Sequence, residues 1–383
     1  MILSTGATKI AKRPECGCSL PLSSAEMNLP TPVRPSRKLN FSAAILFVIG
    51  LLLIGCRSPA PNASLQRFEF SKPQMGTLVR ITLYAANEIT ARNAADAAFR
   101  RIAALEDIMS DYQADSELMR LSAQPCLHPV PVSAELFDIL TRARKISELS
   151  NGAFDVTVGP YVRLWRFSRK RKSLPTAEEL AAARAAVGWQ KLRLDVRTRT
   201  VTLLVPNMRL DLGGMGKGYA ADAALRVLKQ RGITRALVAA SGDIAIGDPP
   251  PGQRGWKIGV SAIDGSTNVP VRTLLLHNAG TSTSGDSEQF VEIGGIRYSH
   301  IVDPTTGLGM TNRIQATIVA PDATTTDSLD TTVCLLGVKR GLALVECFVR
   351  TATLVFTKEN GVEKSFESRR FKSFILYSHP ATP

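Results

Sequence analysis

Cysteine is scarce in this chain of 383 residues, and its six positions exclude more than they suggest. Cys16 and Cys18 lie upstream of an apolar run, and Cys56 closes that run. Only Cys126, Cys334 and Cys347 remain, an odd number without metal-ligand spacing, so no cysteine metal site is expected. One disulfide is allowed, and the sequence does not choose the pair. Cys334 falls in the apolar run Val333 to Leu336 and reads as a buried core thiol. No apolar stretch reaches about 20 residues, the length a membrane-spanning helix needs. Both familiar phosphate loops are missing: no G-x-x-x-x-G-K-S/T occurs, and Gly214 to Tyr219 lacks the third glycine of the dinucleotide fingerprint. No repeat of fixed period, internal linker or regular βαβ beat is visible. The last absence argues against a doubly wound Rossmann sheet and for α+β, mixed sheets with flanking helices.

What the chain does have begins with an export signal. Arg34, Arg37 and Lys38 precede the apolar run Phe41 to Gly55, a basic segment followed by a short hydrophobic one. The run ends Leu53-Ile54-Gly55-Cys56, which resembles a bacterial lipoprotein box with Cys56 as the lipidated residue. Met27 would begin a signal of more usual length. Residues 1–56 are therefore read as upstream extension and signal, 57–66 as a flexible tether, and 67–383 as the catalytic body. The expected location is the bacterial cell envelope, with the body lipid-anchored outside the cytoplasm, in the periplasm. Beyond Cys56 the chain keeps 41 of its 47 Lys and Arg and 31 of its 33 Asp and Glu, a net charge of +10. Much of it sits in Arg163, Arg166, Arg169, Lys170, Arg171 and Lys172. Only Trp165 and Phe167 are interleaved and no nucleic-acid motif accompanies them. A solvated or membrane-facing loop is expected, and no nucleic-acid partner.

Periodicity places the elements. Phe68 to Phe70 and Leu78 to Tyr84 alternate as strands, while Glu88 to Met109 and Ser133 to Ser150 have helical spacing, Ser133 as cap. Thr176 to Val187 and Gly218 to Arg231 predict further helices, and Leu192 to Leu204 a hairpin. Strands are expected at Ala236–Ala240, Trp256–Ser261, Val271–His277, Ile314–Val319 and Thr351–Thr357. Asp327 to Leu336 begins another helix.

The segment Leu210 to Asp222 concentrates chemistry: Asp211 follows an apolar run, and four glycines with Lys217 precede a helix-forming run. Glycine lets backbone approach a ligand, and the helix start adds partial positive charge. Alone, this could be an ordinary strand-to-helix turn. It stands in an ordered series, however: Met75-Gly76-Thr77, Met109 to Tyr112 with Asp115 to Leu121, Gly152 to Pro160, the glycine segment, Ala240 to Asp243, Thr281 to Asp286, His300 to Gly307, and Thr326 to Thr331. This series closely resembles the FAD:protein FMN transferases, the ApbE-like family, from about Met75 to Gly337.

The resemblance implies transfer of FMN from FAD to a threonine hydroxyl of an acceptor protein through a phosphoester, with release of AMP. FAD is then the substrate and Mg²⁺ the cofactor, a hard cation suited to pyrophosphate and oxygen ligands. Asp327, Asp330 and Thr331 share one helix face at i, i+3 and i+4 and would hold the metal with a carbonyl at Gly214. The plain structural alternative for Asp327 is a helix N-cap. His300, the only histidine within these motifs, would take the acceptor proton. Lys217 would pair with FAD phosphates or a neighbouring carboxylate, and Asp155 and Asp211 would accept from flavin or ribose. Met75, Tyr112, Ala153, Phe154 and Ile301 match positions lining the flavin and adenine. Ser241 departs from the family, where many members have glycine. The implied partners are acceptor flavoproteins, subunits of membrane redox complexes, with the membrane itself reached through Cys56. Two alternatives stay open: FAD hydrolysis to FMN and AMP, and a non-catalytic FAD-binding lipoprotein.

Overall fold

Alternating apolar residues assemble one large sheet. The computed structural model describes residues 64–263, 270–285 and 289–378; Cys56 and its signal, most of the tether, Asp286 and His379 lie outside them. Strands β1 (Gln66–Gln74), β2 (Thr77–Ala85), β6 (Ala236–Ala240), β7 (Asp243–Ile246), β10 (Ala279–Gly285), β13 (Arg313–Ala320), β14 (Ala352–Glu359) and β15 (Val362–Glu367) lie side by side in chain order. Every neighbouring pair is antiparallel. Three small sheets complete the strands: β3 (Val130–Pro131) with β4 (Leu192–Asp195) and β5 (Thr200–Leu203), β8 (Trp256–Val260) with β9 (Arg272–Leu276) and β16 (Ile375–Ser378), and the hairpin β11 (Phe290–Ile293) with β12 (Ile296–Ser299). The helices are α1 (Glu88–Met109), α2 (Glu117–Ser122), α3 (Ala134–Ser150), α4 (Gly159–Arg171), α5 (Ala177–Ala186), α6 (Gly216–Gln230) and α7 (Ala323–Glu346). The α+β expectation holds.

The side-chain period of two divides the sheet's faces. Val79, Ile81 and Leu83 of β2, Val238 of β6 and Ala316 and Ile318 of β13 pack with α1, α6 and α7 in the main core. Ala352, Leu354 and Phe356 of β14 face the other way, onto Trp256, Leu274 and Phe371. Each fully buried Leu or Ile contributes about 1.5–3 kcal/mol. Helix starts follow their caps: Ser133 accepts from Leu136 N–H, and Thr176 with Glu179 forms a capping box.

Two expectations need correction. The basic segment is helix α4, not a loop, because Tyr161, Trp165 and Ser168 recur at i, i+4 and i+7 and are buried. Trp165 Nε1 donates to Ser299 O at 3.1 Å and its ring meets Tyr298 edge-on, tying α4 to the hairpin before His300. Second, α7 starts four residues before Asp327. Asp322 caps it by accepting from Thr325 N–H, so Asp327 stands inside the helix and is no cap.

Candidate active site

The starts of α6 and α7 meet with almost no space between them. At Gly218 a Cβ would lie 2.2 Å from Ala323 O and 2.8 Å from Asp327 Cβ. That contact lets Gly218 N–H donate to Asp327 Oδ2 at 2.8 Å. From α6, Asp222 accepts from Ala323 N–H (2.9 Å), Thr324 N–H (2.8 Å) and the Thr324 hydroxyl (2.6 Å). This carboxylate binds the first turn of α7 to α6 and fixes where Asp327, Asp330 and Thr331 stand.

The acids there are buried. Desolvation first and Asp243 second push the Asp327 carboxyl up to about 7. Burial, Asp243 and Asp327 hold Asp330 well above the usual carboxylate range. Lys217 pairs with Asp243, the first residue of β7. Burial opposes the Lys217 charge, but Asp327 and Asp243 outweigh it and raise the ammonium pKa. Asp330 Oδ2 is buried without a hydrogen-bond partner. Thr331 Oγ1 lies 3.2 Å from Ser284 Oγ. Gly214 joins the group: a Cβ on it would be 3.8 Å from Thr331 Oγ1 and 3.2 Å from Phe154 Cε2.

These residues fit a hard cation. A buried orphan carboxylate oxygen is costly unless something positive meets it. Two carboxylates, a hydroxyl and a carbonyl are oxygen donors of the kind Mg²⁺ takes while keeping positions for phosphate. Among the described residues no three His, Cys, Asp or Glu side chains form a metal cage.

A second cluster lies at Tyr112. Arg166 reaches Asp111 at 2.5 Å and Asp211 at 3.5 Å, and its guanidinium sits 4.0 Å from the Tyr112 ring centroid. Tyr112 is otherwise 79% exposed, leaving a platform. Burial and the neighbouring Asp111 push Asp211 up to about 6. Met75 sits in the left-handed region at φ 52°, donates its N–H to Glu106 (2.9 Å), and its Cε would lie 3.8 Å from a Cβ on Gly216.

His300 is half-buried just after β12; its N–H donates to Gln289 O at 3.0 Å and its Nδ1 lies 3.2 Å from that oxygen. A carbonyl only accepts, so in the neutral ring the proton sits on Nδ1 and Nε2 is basic. Ile301 beside it is buried in the main core.

The structure thus unites Gly214, Lys217, Asp327, Asp330 and Thr331 with Phe154, and sets Tyr112 and Asp211 around Arg166. Asp155 stands apart. Its Oδ1 accepts from Thr157 N–H and hydroxyl at 2.8 and 2.7 Å, and it lines a separate hollow of about 210 Å³ with Trp189 and Arg184. Ala153 lies in the same turn after α3, beside Gly152 of that hollow. Sequence reading missed Asp111, Arg166, Asp222 and Asp243 as site residues. The spacing Tyr161, Trp165, Ser168 could have revealed α4 and so Arg166. Cys334 is buried as expected, and no disulfide joins the three cysteines among the described residues.

An α+β fold with a buried oxygen-donor cluster at glycine-lined helix starts marks this chain as an enzyme. The chain belongs to the ApbE family, whose model matches residues 75–355. It is 33% identical to the FAD:protein FMN transferase of Salmonella typhimurium, over 88% of this chain and 99% of that one. It is 29% identical to that of Escherichia coli K12, with the same coverage. The solved flavin transferase ApbE from Vibrio cholerae superposes with TM-score 0.72 at 30% identity, covering 81% of this chain and 99% of that one.

Proposed function

We propose that this protein transfers FMN from FAD to a threonine hydroxyl of an acceptor protein and releases AMP. The observation supporting it most directly is the unpartnered buried Asp330 Oδ2 beside Asp327, Thr331 and Gly214, in a chain whose relatives are named for this transfer. Those four residues would hold Mg²⁺, which when bound neutralises charge on a pyrophosphate. Lys217, kept charged by Asp243, adds a fixed positive group at the same place. Tyr112 offers a face for the flavin, and Met75 and Phe154 supply apolar walls. His300 Nε2 takes the threonine proton as that oxygen bonds to the FMN-side phosphorus. The bond from this phosphorus to the bridging oxygen breaks, and AMP leaves with that oxygen.

Cys56 and its preceding run support a lipid-anchored enzyme outside the cytoplasm, acting on subunits of membrane redox complexes. Cys56→Ala should release the body from membranes with unchanged turnover on a soluble acceptor; an inert soluble form would show that the tether belongs to the site. The decisive measurement is mass spectrometry of a co-expressed acceptor, searching for an FMN increment on threonine. FMN and AMP formed without any labelled acceptor would identify a hydrolase instead.

A further inference from the structure

The basic residues of α4 are the feature flavin transfer leaves unused. Three of them, Arg163, Arg166 and Lys170, line with Arg209 a cavity of about 300 Å³ whose rim also carries Asp111 and Tyr112. Arg166 is committed to Asp111 and Asp211, but Arg163, Lys170 and Arg209 have no ion-pair partner among the described residues. Arg209 instead directs its guanidinium at the Met119 sulfur, 3.5 Å away. Burial, and then repulsion from Arg163, lower its pKa. Flexible side chains did not drift into this arrangement. Val158 bridges to Arg209, and at Gly159 a Cβ would be 2.6 Å from Arg209 O, so backbone contact holds the cations together. Unbalanced cations in a cleft focus potential toward an anion. Half the wall is apolar, from Met119, Leu210 and Phe167, the last 48% exposed. Free phosphate has no use for that wall. A polypeptide carrying carboxylates around an apolar side chain uses both halves, the Arg-plus-aromatic pattern of protein interfaces.

We propose that this cavity docks an acidic segment of the acceptor protein, its carboxylates meeting Arg163, Lys170 and Arg209 and an apolar side chain meeting Phe167. The proposal rests on the flavin-transfer reading for the partner's identity. The test uses the full chain, the double variant Arg163→Glu/Lys170→Glu, and the charge-matched control Lys339→Glu/Arg340→Glu on exposed residues of α7. The probe is a fluorescein-labelled peptide of alternating glutamate and leucine, titrated by anisotropy. Covalent flavin in expressing cells is read as in-gel fluorescence. The α4 variant should lose at least about tenfold in peptide affinity, because it turns two attractive charges into repulsive ones, and dim the flavin bands. The control should change neither, and FAD affinity should stay within about twofold in both. An equal loss in the control would reduce the effect to net charge and overturn the proposal. So would a fall in FAD affinity, which would assign the cavity to the flavin nucleotide. Unchanged peptide binding with lost binding of phosphatidylglycerol vesicles or inorganic phosphate would make it a membrane or simple anion site. If wild type binds the peptide through these residues yet yields no covalent flavin, flavin transfer fails and the acceptor assignment with it, while the peptide site stands.

Discussion

Where α6 meets α7 and β7, Asp243, Asp327 and Asp330 crowd around Lys217; at α4, Arg166 pairs with Asp111 and Asp211 while Arg163, Lys170 and Arg209 share a cavity with Asp111. The first cluster has a surplus of negative charge and the second of positive. Burial makes them behave differently. Closed in by helix contact, the aspartates answer their surplus by binding protons more tightly. The α4 cations line a cavity and direct their field into it. A charge surplus is thus stored as raised pKa where water is excluded and as a field where it is admitted.

The largest effect that would break this contrast is at Asp330. Asp330→Ala should abolish Mg²⁺-dependent FAD turnover, at least ~10²-fold, beyond the range for losing a residue behind the ligands. Full activity at ordinary Mg²⁺ would remove the oxygen cluster from the chemistry. His300→Ala should retain FAD affinity and Mg²⁺ dependence yet turn over about 10²–10⁴-fold more slowly. Lost FAD affinity with normal turnover of bound flavin would make His300 a binding residue.

A pH experiment sharpens the comparison. Burial pushes the Asp327 carboxyl up to about 7 from the ordinary 3.8. Its folded pKa is raised, so its stabilising contribution is full at low pH and is lost as pH rises from about 4 through 7. In EDTA, wild type should therefore lose thermal stability relative to Asp327→Asn across that window, and Mg²⁺ should restore it to wild type alone. Parallel curves in the two proteins would show that the cluster stores no such protonation. On the α4 side, Arg166→Leu strands Asp111 and Asp211. With Arg166 partly exposed, a loss of about 2 kcal/mol is expected, below the range for fully buried pairs, and Asp211→Asn should recover part of it by calorimetry. The smallest effect is at Ser241, which holds φ 59° in the two-residue turn joining β6 and β7. Ser241→Gly should raise stability by about 0.5–1 kcal/mol. A lower Tm would mean its side chain supports the loop.

Five of the eight main-sheet strands and most helices were legible because apolar spacing there is imposed by burial on one face, whereas no strand was expected at β7, β10 or β15. Glu88 to Met109 and Ala236 to Ala240 match their observed bounds. Segment α4 was misjudged because its charged residues outnumber the buried stripe of Tyr161 and Trp165. The metal-side residues could be named from motif order, but their partners could not. Asp222 lies 101 residues from Ala323, and Lys217 26 from Asp243. No local pattern encodes those pairings; they follow from strand order and from two helices meeting at a glycine.

That meeting point at Gly218 divides what can vary from what cannot. Any side chain there would wedge α6 from α7, so the spacing of the metal-side oxygens is set by the absence of one carbon atom. His300 and the α4 cations hang on other elements, joined through Trp165 and Ser299. Substitutions on the hairpin or α4 can therefore retune which acceptor is admitted while leaving the oxygen geometry untouched. The molecule separates a locked gauge from an adjustable doorway, and inheritance can edit the second without recalibrating the first.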